Sequence, residues 1–256
     1  MTTREYLGSG WDCDAVLVDG VWVERTARRP DVEPWLRTET TLLPWLAPQL
    51  PLPVPAPVVV GTDPLVTRHR YLPGRPVPDA APGLGATIGA FLRALHAVDL
   101  DEAVARGLPG PDRTLAMRDA SWARFDDEVL PLLGSPERTW LAGRLDVLRD
   151  APATVVVHGD LSADHVLADG DGITGVIDWG DARAGDPAKD LLWPLHGAGA
   201  AVARAAQEAY GSTPELRRRA AAWRDVAPCY AVTHGLDTGD DDLVRGTLHA
   251  LRLPGT

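Results

Sequence analysis

The sequence predicts an α+β protein of two lobes, a small β-rich N-lobe and a larger helical C-lobe, and three observations carry that reading. Short apolar runs with turn signals fill the first 74 residues, a proline-studded stretch interrupts them, and from Gly85 onward the apolar positions recur with helical period. The lobes are accordingly set at residues 1–74 and 75–256, the pattern changing between 74 and 84.

Residues 14–18 and 21–25 are short apolar strands joined by Asp19-Gly20, a pair suited to the two-residue turn of a β-hairpin. A helix is predicted over 34–46, where Glu39, Leu42, Leu43 and Leu46 recur at i, i+3, i+4 and i+7. The acid on that apolar stripe calls for a buried partner. Residues 48–57 mix prolines with apolar side chains and fit neither a helix interior nor a central strand. Strands follow at 58–61 and 65–71, stopped by Pro73-Gly74. Beyond them Ile88, Phe91, Leu92 and Leu95 mark a core-facing helix, with further helices expected at 121–133 and 136–149. A β segment is expected over 154–178, and helices from there to the end.

Composition narrows the function. A formal charge of −11 disfavours nucleic acid or an anionic membrane as partner and suits a cationic small molecule. There is no run of eighteen apolar residues, and Met1-Thr2-Thr3-Arg4-Glu5 is not the start of a secretion signal, so a cytoplasmic protein is expected. Cys13 and Cys229 are too few and too far apart for a disulfide framework or a zinc site. Lys189 is the only lysine, which leaves arginine to supply every other fixed cation.

The chemistry concentrates in Val155-Val-Val-His158-Gly-Asp160-Leu-Ser-Ala-Asp164-His165, in Asp178-Trp-Gly-Asp181 and in Gly185-Asp186-Pro-Ala-Lys189-Asp190. The valines predict a buried strand, and Gly159 lets the chain turn so that Asp160 lies in a loop just past its end. Residues 166–169 and 173–177 read as a hairpin closed by 169–172, and counting back from the turn sets His165 opposite Val176. His165 and Asp178 then meet at the open end beside Asp160. Phosphoryl transfer uses such a convergence: one carboxylate orients an attacking hydroxyl and takes its proton, while metal-binding groups hold magnesium against nucleotide phosphates. In that scheme Asp160 is the base, Asp178 the main magnesium ligand, and His165 completes the metal site.

These residues resemble the aminoglycoside and macrolide phosphotransferases, antibiotic kinases with a two-lobed protein-kinase-like fold. The resemblance runs from Leu7-Gly-Ser-Gly10-Trp11-Asp12 to His234-Gly-Leu-Asp-Thr-Gly239-Asp240. It implies ATP or GTP with Mg2+ between the lobes, Ser9 in the nucleotide flap, and a hinge over 69–74 whose His69-Arg70-Tyr71 backbone contacts the purine. It also implies an antibiotic bound over the helical lobe; no nucleic-acid or membrane partner is expected from the charge, and a monomer or weak dimer is expected. The sequence departs from the family at two positions. His165 stands where asparagine is usual, as in the macrolide kinases, although magnesium prefers oxygen ligands. The usual third-strand lysine is missing, and Arg25, paired with Glu39, is its replacement, with Arg28 and Arg29 as competitors.

Several polar residues have simpler readings. His158 is expected to tie its loop to nearby backbone. Asp186 and Asp190 brace the loop or cap the helix after Pro187, and Asp240 caps the last helix or, with Asp237, Asp241 and Asp242, attracts a cationic ligand. Asp169-Gly-Asp171-Gly is a hairpin turn, not a calcium loop. Trp179 is core or lies near the site. The combined expectation is an O-phosphotransferase acting on an antibiotic, an aminoglycoside or basic peptide ahead of a macrolide. A small-metabolite kinase, a nucleotide-binding pseudokinase and a metal-dependent phosphoesterase are the alternatives.

Overall fold

The computed structural model describes residues 2–9, 12–79, 81, 83–170 and 172–251; of Ser9 only the backbone is described. The flap residues Gly10 and Trp11 and the turn residue Asp171 lie outside the described residues.

The N-terminal part is an antiparallel sheet of β1 (Arg4–Ser9), β2 (Cys13–Val18), β3 (Trp22–Ala27), β4 (Val58–Thr62) and β5 (Leu65–Arg70), in the order β1-β2-β3-β5-β4. Asp19 and Gly20 both have positive φ, 53° and 67°, as the tight turn between β2 and β3 requires. The sequence reading missed β1. As an edge strand with Arg4, Glu5, Tyr6 and Leu7 all exposed, it has no buried face and shows no alternation. Helix α1 (Glu33–Leu46) buries Leu36, Glu39, Leu42, Leu43 and Leu46, and Leu36 packs with Cys13, Val32 and Leu65.

The rest is largely helical: α2 (Leu84–Leu95), α3 (Leu100–Ala105), α4 (Pro111–Arg124), α5 (Ser135–Leu148), α6 (Pro187–Asp190), α7 (Leu192–His196), α8 (Ala200–Tyr210), α9 (Pro214–Val226), α10 (Pro228–Thr238) and α11 (Asp241–Ala250). Short strands interrupt it: β6 (Arg75–Pro76) pairs with β8 (Val166–Asp169), which pairs with β9 (Gly172–Val176), and β7 (Val155–Val157) pairs with β10 (Arg183–Gly185). Helices α2 and α8 approach until a Cβ on Gly85 would lie 2.1 Å from the Val202 carbonyl oxygen, so only glycine fits.

Three expectations are corrected here. The helix predicted at 121–133 is α4, which starts at Pro111 and stops at Arg124, followed by a π-helical turn (Phe125–Val129) and a 3-10 turn (Leu130–Leu132). Pro at the first position with Asp112 behind it was the start signal, but Trp122 is the only buried side chain of α4, so no apolar stripe announced the helix. Strand β10 lies where only helix was expected. Val176 faces Val166, not His165, because the register shifts between Leu167 and Ala168 and leaves Thr174 unpaired.

Candidate active site

His158 follows β7 and is fully buried, and burial pushes its pKa down toward the neutral ring, against the pull of Asp190. Its Nε2 lies 2.9 Å from the Ile177 carbonyl oxygen and must donate to it; its Nδ1 then accepts the Asp160 N–H at 3.3 Å. One neutral ring thus joins the loop that carries Asp160 to the residue before Asp178. Gly159, with φ of 87°, makes the turn, and a Cβ there would meet the Asp181 carbonyl oxygen at 2.3 Å. Beneath the loop Asp190 accepts the N–H of His158 at 2.8 Å and of Gly159 at 2.9 Å. His96, at the end of α2, adds its Nε2 at 3.0 Å, and the Tyr210 hydroxyl of α8 lies 2.9 Å from its Nδ1. Burial alone would raise Asp190, but the His96 hydrogen bond and the nearby His96 and His158 rings hold its pKa below the ordinary value.

On this frame Asp160, His165 and Asp178 share one opening. The Nδ1 of His165 donates to the Asp160 carbonyl oxygen at 2.7 Å and lies 3.7 Å from the Asp160 carboxylate. Its Nε2 lies 3.5 Å from Asp178 Oδ2. Because Nδ1 donates to the Asp160 carbonyl, Nε2 is the ring atom left to face the Asp178 carboxylate. Asp178 holds φ of 63°, the left-handed region that few non-glycine residues adopt and that sites tend to store. The Asp160 side chain is 62% exposed, yet the mass of the cleft wall still raises its pKa, opposed by His165 and reinforced by Asp181.

Across the opening Arg25 on β3 meets Glu39 of α1 at 2.6 Å, both largely buried. Burial opposes the charge of Arg25, but Glu39, Cys13 and Asp178 outweigh it and its pKa is raised. Burial lifts Glu39 above the usual carboxylate range despite the pull of Arg25.

Comparison with known proteins decides what this arrangement belongs to: the family described as "Phosphotransferase enzyme family" matches residues 3–223. The chain belongs to that family. Viomycin phosphotransferase of Streptomyces vinaceus is 32% identical over 146 residues, which take in 51% of this chain and 50% of that relative. The chain thus matches about half the length of that relative. Among solved structures, the GDP and kanamycin complex of APH(2")-IIia superposes with a TM-score of 0.86 at 26% identity, covering 97% of this chain and 91% of that one. The macrolide 2'-phosphotransferase of Brachybacterium faecium superposes with a TM-score of 0.79 at 28% identity, covering 100% and 93%. The fold is therefore that of the antibiotic phosphotransferases, sheet-rich in its N-terminal part.

Within this phosphotransferase fold the structure brings together Asp160, His165 and Asp178, and separately Arg25 and Glu39, whose charges Asp178 reaches. Ser9 ends β1 opposite Asp14, its side chain outside the described atoms. At the expected hinge the Tyr71 N–H is already taken by the Val21 carbonyl at 2.8 Å, so that group is not free for a purine. The Arg70 carbonyl accepts His69 Nδ1 at 2.8 Å, and the Arg70 guanidinium lies 5.4 Å over the Trp22 ring. Of the competitors, Arg29 pairs with Asp12 at 2.7 Å. Asp186 caps α6 and binds Arg219 and the Trp223 indole. Asp240 caps α11 through the Leu243 N–H, Asp237 pairs with Arg124, and Trp179 is buried against His158.

Sequence reasoning missed His96 and Tyr210. Their partners are 94 and 114 positions away, and nothing local signals such a contact. Among the described residues no cluster of three or more His, Cys, Asp or Glu would hold a metal unaided. Magnesium takes one or two protein ligands and completes its shell with phosphate and water. A carboxylate such as Asp178 suits it, with His165 Nε2 the second candidate.

Proposed function

We propose that this chain transfers the terminal phosphoryl group of ATP or GTP to a hydroxyl of a small-molecule antibiotic. The observation that carries the reading is the convergence of Asp160, His165 and Asp178 on one opening, held by His158 and Asp190, in a member of the phosphotransferase family. The exposed Asp160 carboxylate meets the incoming hydroxyl, orients it and takes its proton, a contribution of about 10²- to 10⁴-fold in rate. Asp178, with His165, holds Mg2+, which when bound neutralises phosphate charge. Arg25 supplies the fixed cation on the nucleotide side, and Glu39 keeps it aimed. Residues 1–74 form the nucleotide lobe with its hinge at 69–74, and 75–256 the catalytic and acceptor lobe.

Net charge ranks an aminoglycoside or basic peptide antibiotic ahead of a macrolide, and of two similar proteins one is named for viomycin and one is bound to kanamycin. His165 favours the macrolide reading. The test is mass spectrometry of an antibiotic panel incubated with the protein, Mg2+ and ATP or GTP, with gain of one phosphate on at least one compound expected. Nucleotide binding with no transfer to any antibiotic or to small hydroxylated metabolites would leave a pseudokinase, and transfer only to metabolites would move the chain to that kinase class.

A further inference from the structure

Between α4 and the segment that follows Asp178 lies a cavity of about 420 Å³, within the size range of small-molecule sites. Leu115, Met117, Pro152 and Val157 give it apolar walls, with the rings of Trp223 and Tyr230. Two polar groups on its lining lack ordinary partners. Thr114 Oγ1 is buried with no hydrogen bond. Lys189, the only lysine of the chain, lies over ring faces, its Nζ 5.7 Å from the Trp223 centroid and 5.6 Å from that of Tyr230. Among the described residues it forms no ion pair, because the carboxylates around it are engaged elsewhere: Asp181 by Arg183, Asp186 by Arg219, and Asp190 by His96 and two backbone N–H groups. The cavity adjoins the loop of the base: the Asp181 carbonyl oxygen lies 2.3 Å from where a Cβ on Gly159 would stand. Asp181 and Lys189 line it, and both act on the charge of Asp160.

We propose that this cavity receives the acceptor and that Lys189 sets its class: an oxygen-rich, weakly charged molecule with an apolar face, of the macrolide kind, in preference to a polyamine of the aminoglycoside kind. The proposal rests on the phosphotransfer reading, which gives the occupant a hydroxyl at Asp160. Burial pushes the Lys189 pKa down, against the pull of Asp181, Asp190 and Asp160. A buried amino group with no ion-pair partner is matched by ester, ketone or hydroxyl oxygens, and Thr114 offers a further donor and acceptor. The rings and aliphatic walls cover an apolar face. A polyamine would instead bring cations against Lys189 in a cavity whose carboxylates are already paired, and such uncompensated charge is how a site rejects a wrong ligand. The overall charge of −11 does not reverse this, because exposed charges beyond about 8 Å are screened at physiological ionic strength while a half-buried neighbour is not.

The experiment compares erythromycin and kanamycin on wild type, Lys189→Glu and Lys189→Arg. Binding is read without nucleotide from tryptophan fluorescence and calorimetry, and transfer is read as kcat and KM. Wild type should prefer erythromycin in both. Lys189→Glu should raise KM for erythromycin and shift the kcat/KM ratio toward kanamycin by at least about tenfold, the scale of one charged contact, whereas Lys189→Arg should restore the wild-type order. A preference for kanamycin in wild type, or a ratio that does not respond to Lys189→Glu, overturns the proposal. Binding that depends on Lys189 without any transfer would support the proposal and sink the phosphotransfer reading instead. Binding of neither compound would overturn the proposal.

Discussion

The loop carrying Asp160 and the Arg25–Glu39 pair face the same opening, but one is fixed by a buried network of hydrogen bonds and the other by a single ion pair. Asp190 holds two backbone N–H groups and His96, and His158 ties the loop to Ile177. On the other side Arg25 has Glu39 at 2.6 Å and little else beyond Cys13. The two backbone N–H donors held by Asp190 cannot change state if their acceptor is lost. Glu39 is an acid already raised by burial, and it can take up a proton if Arg25 is lost. The base should therefore be held rigidly by the first region, while the second tolerates exchange.

The largest effect should come from breaking the buried side of that contrast. Asp190→Ala leaves His158 N–H, Gly159 N–H and the His96 ring without an acceptor, and losing a buried charged partner costs about 3–5 kcal/mol. For a chain of this size the melting temperature should fall by roughly 10 °C, as read by circular dichroism, and turnover should be lost with the loop. The wild-type carboxylate, its folded pKa depressed, stabilises the protein above its unfolded pKa, and that contribution should disappear as pH falls through the acid range. An unchanged melting temperature would show that Asp190 does not hold the loop.

Asp160→Asn sharpens the comparison from the chemical side. The carboxylate is exposed, so stability should be nearly unchanged, while kcat falls at least about 10²-fold with nucleotide affinity kept. Because its surroundings raise the pKa of Asp160, the wild-type rate should rise with pH through a midpoint above the ordinary aspartate value, and the variant should lack that step. Near-wild-type turnover would mean that the base is another group.

How legible each region was follows the same division. The Asp160, His165 and Asp178 cluster could be read because Gly159, the valine strand and a short hairpin place it by local rules, and even a one-residue error in register left His165 at the correct end. Glu39 could be read as a partner-seeking acid because α1 is strongly periodic. The strands β1 and β10 and the start of α4 could not, since an exposed edge, a three-residue strand and a helix with one buried side chain leave no apolar pattern. His96, Tyr210 and the cavity at Lys189 depend on helices distant in sequence.

Removing the guanidinium tests the tolerant side. Arg25→Ala should raise the KM for nucleotide by about tenfold to a hundredfold, the worth of a charge-assisted contact. It should lower stability by less than Asp190→Ala, and Glu39, buried and alone, should make that loss grow as pH rises, because its folded pKa lies above its unfolded one. Arg25→Lys keeps the charge and should retain most of the affinity. A pH-independent loss would show that Glu39 does not change its protonation.

The smallest effect belongs to the outermost link of the buried network. The Tyr210 hydroxyl lies 2.9 Å from His96 Nδ1, the ring nitrogen opposite the one that donates to Asp190. Tyr210→Phe removes that hydroxyl, leaves the ring, and costs about 1 kcal/mol, or roughly 2–4 °C in melting temperature. Turnover should fall by less than about threefold, because the two backbone N–H groups still hold Asp190 when His96 loses its orienting partner. A fall as large as that of Asp160→Asn, at unchanged stability, would mean that His96 acts on Asp160 more directly than through Asp190, and the two sides of the opening would then differ in degree only.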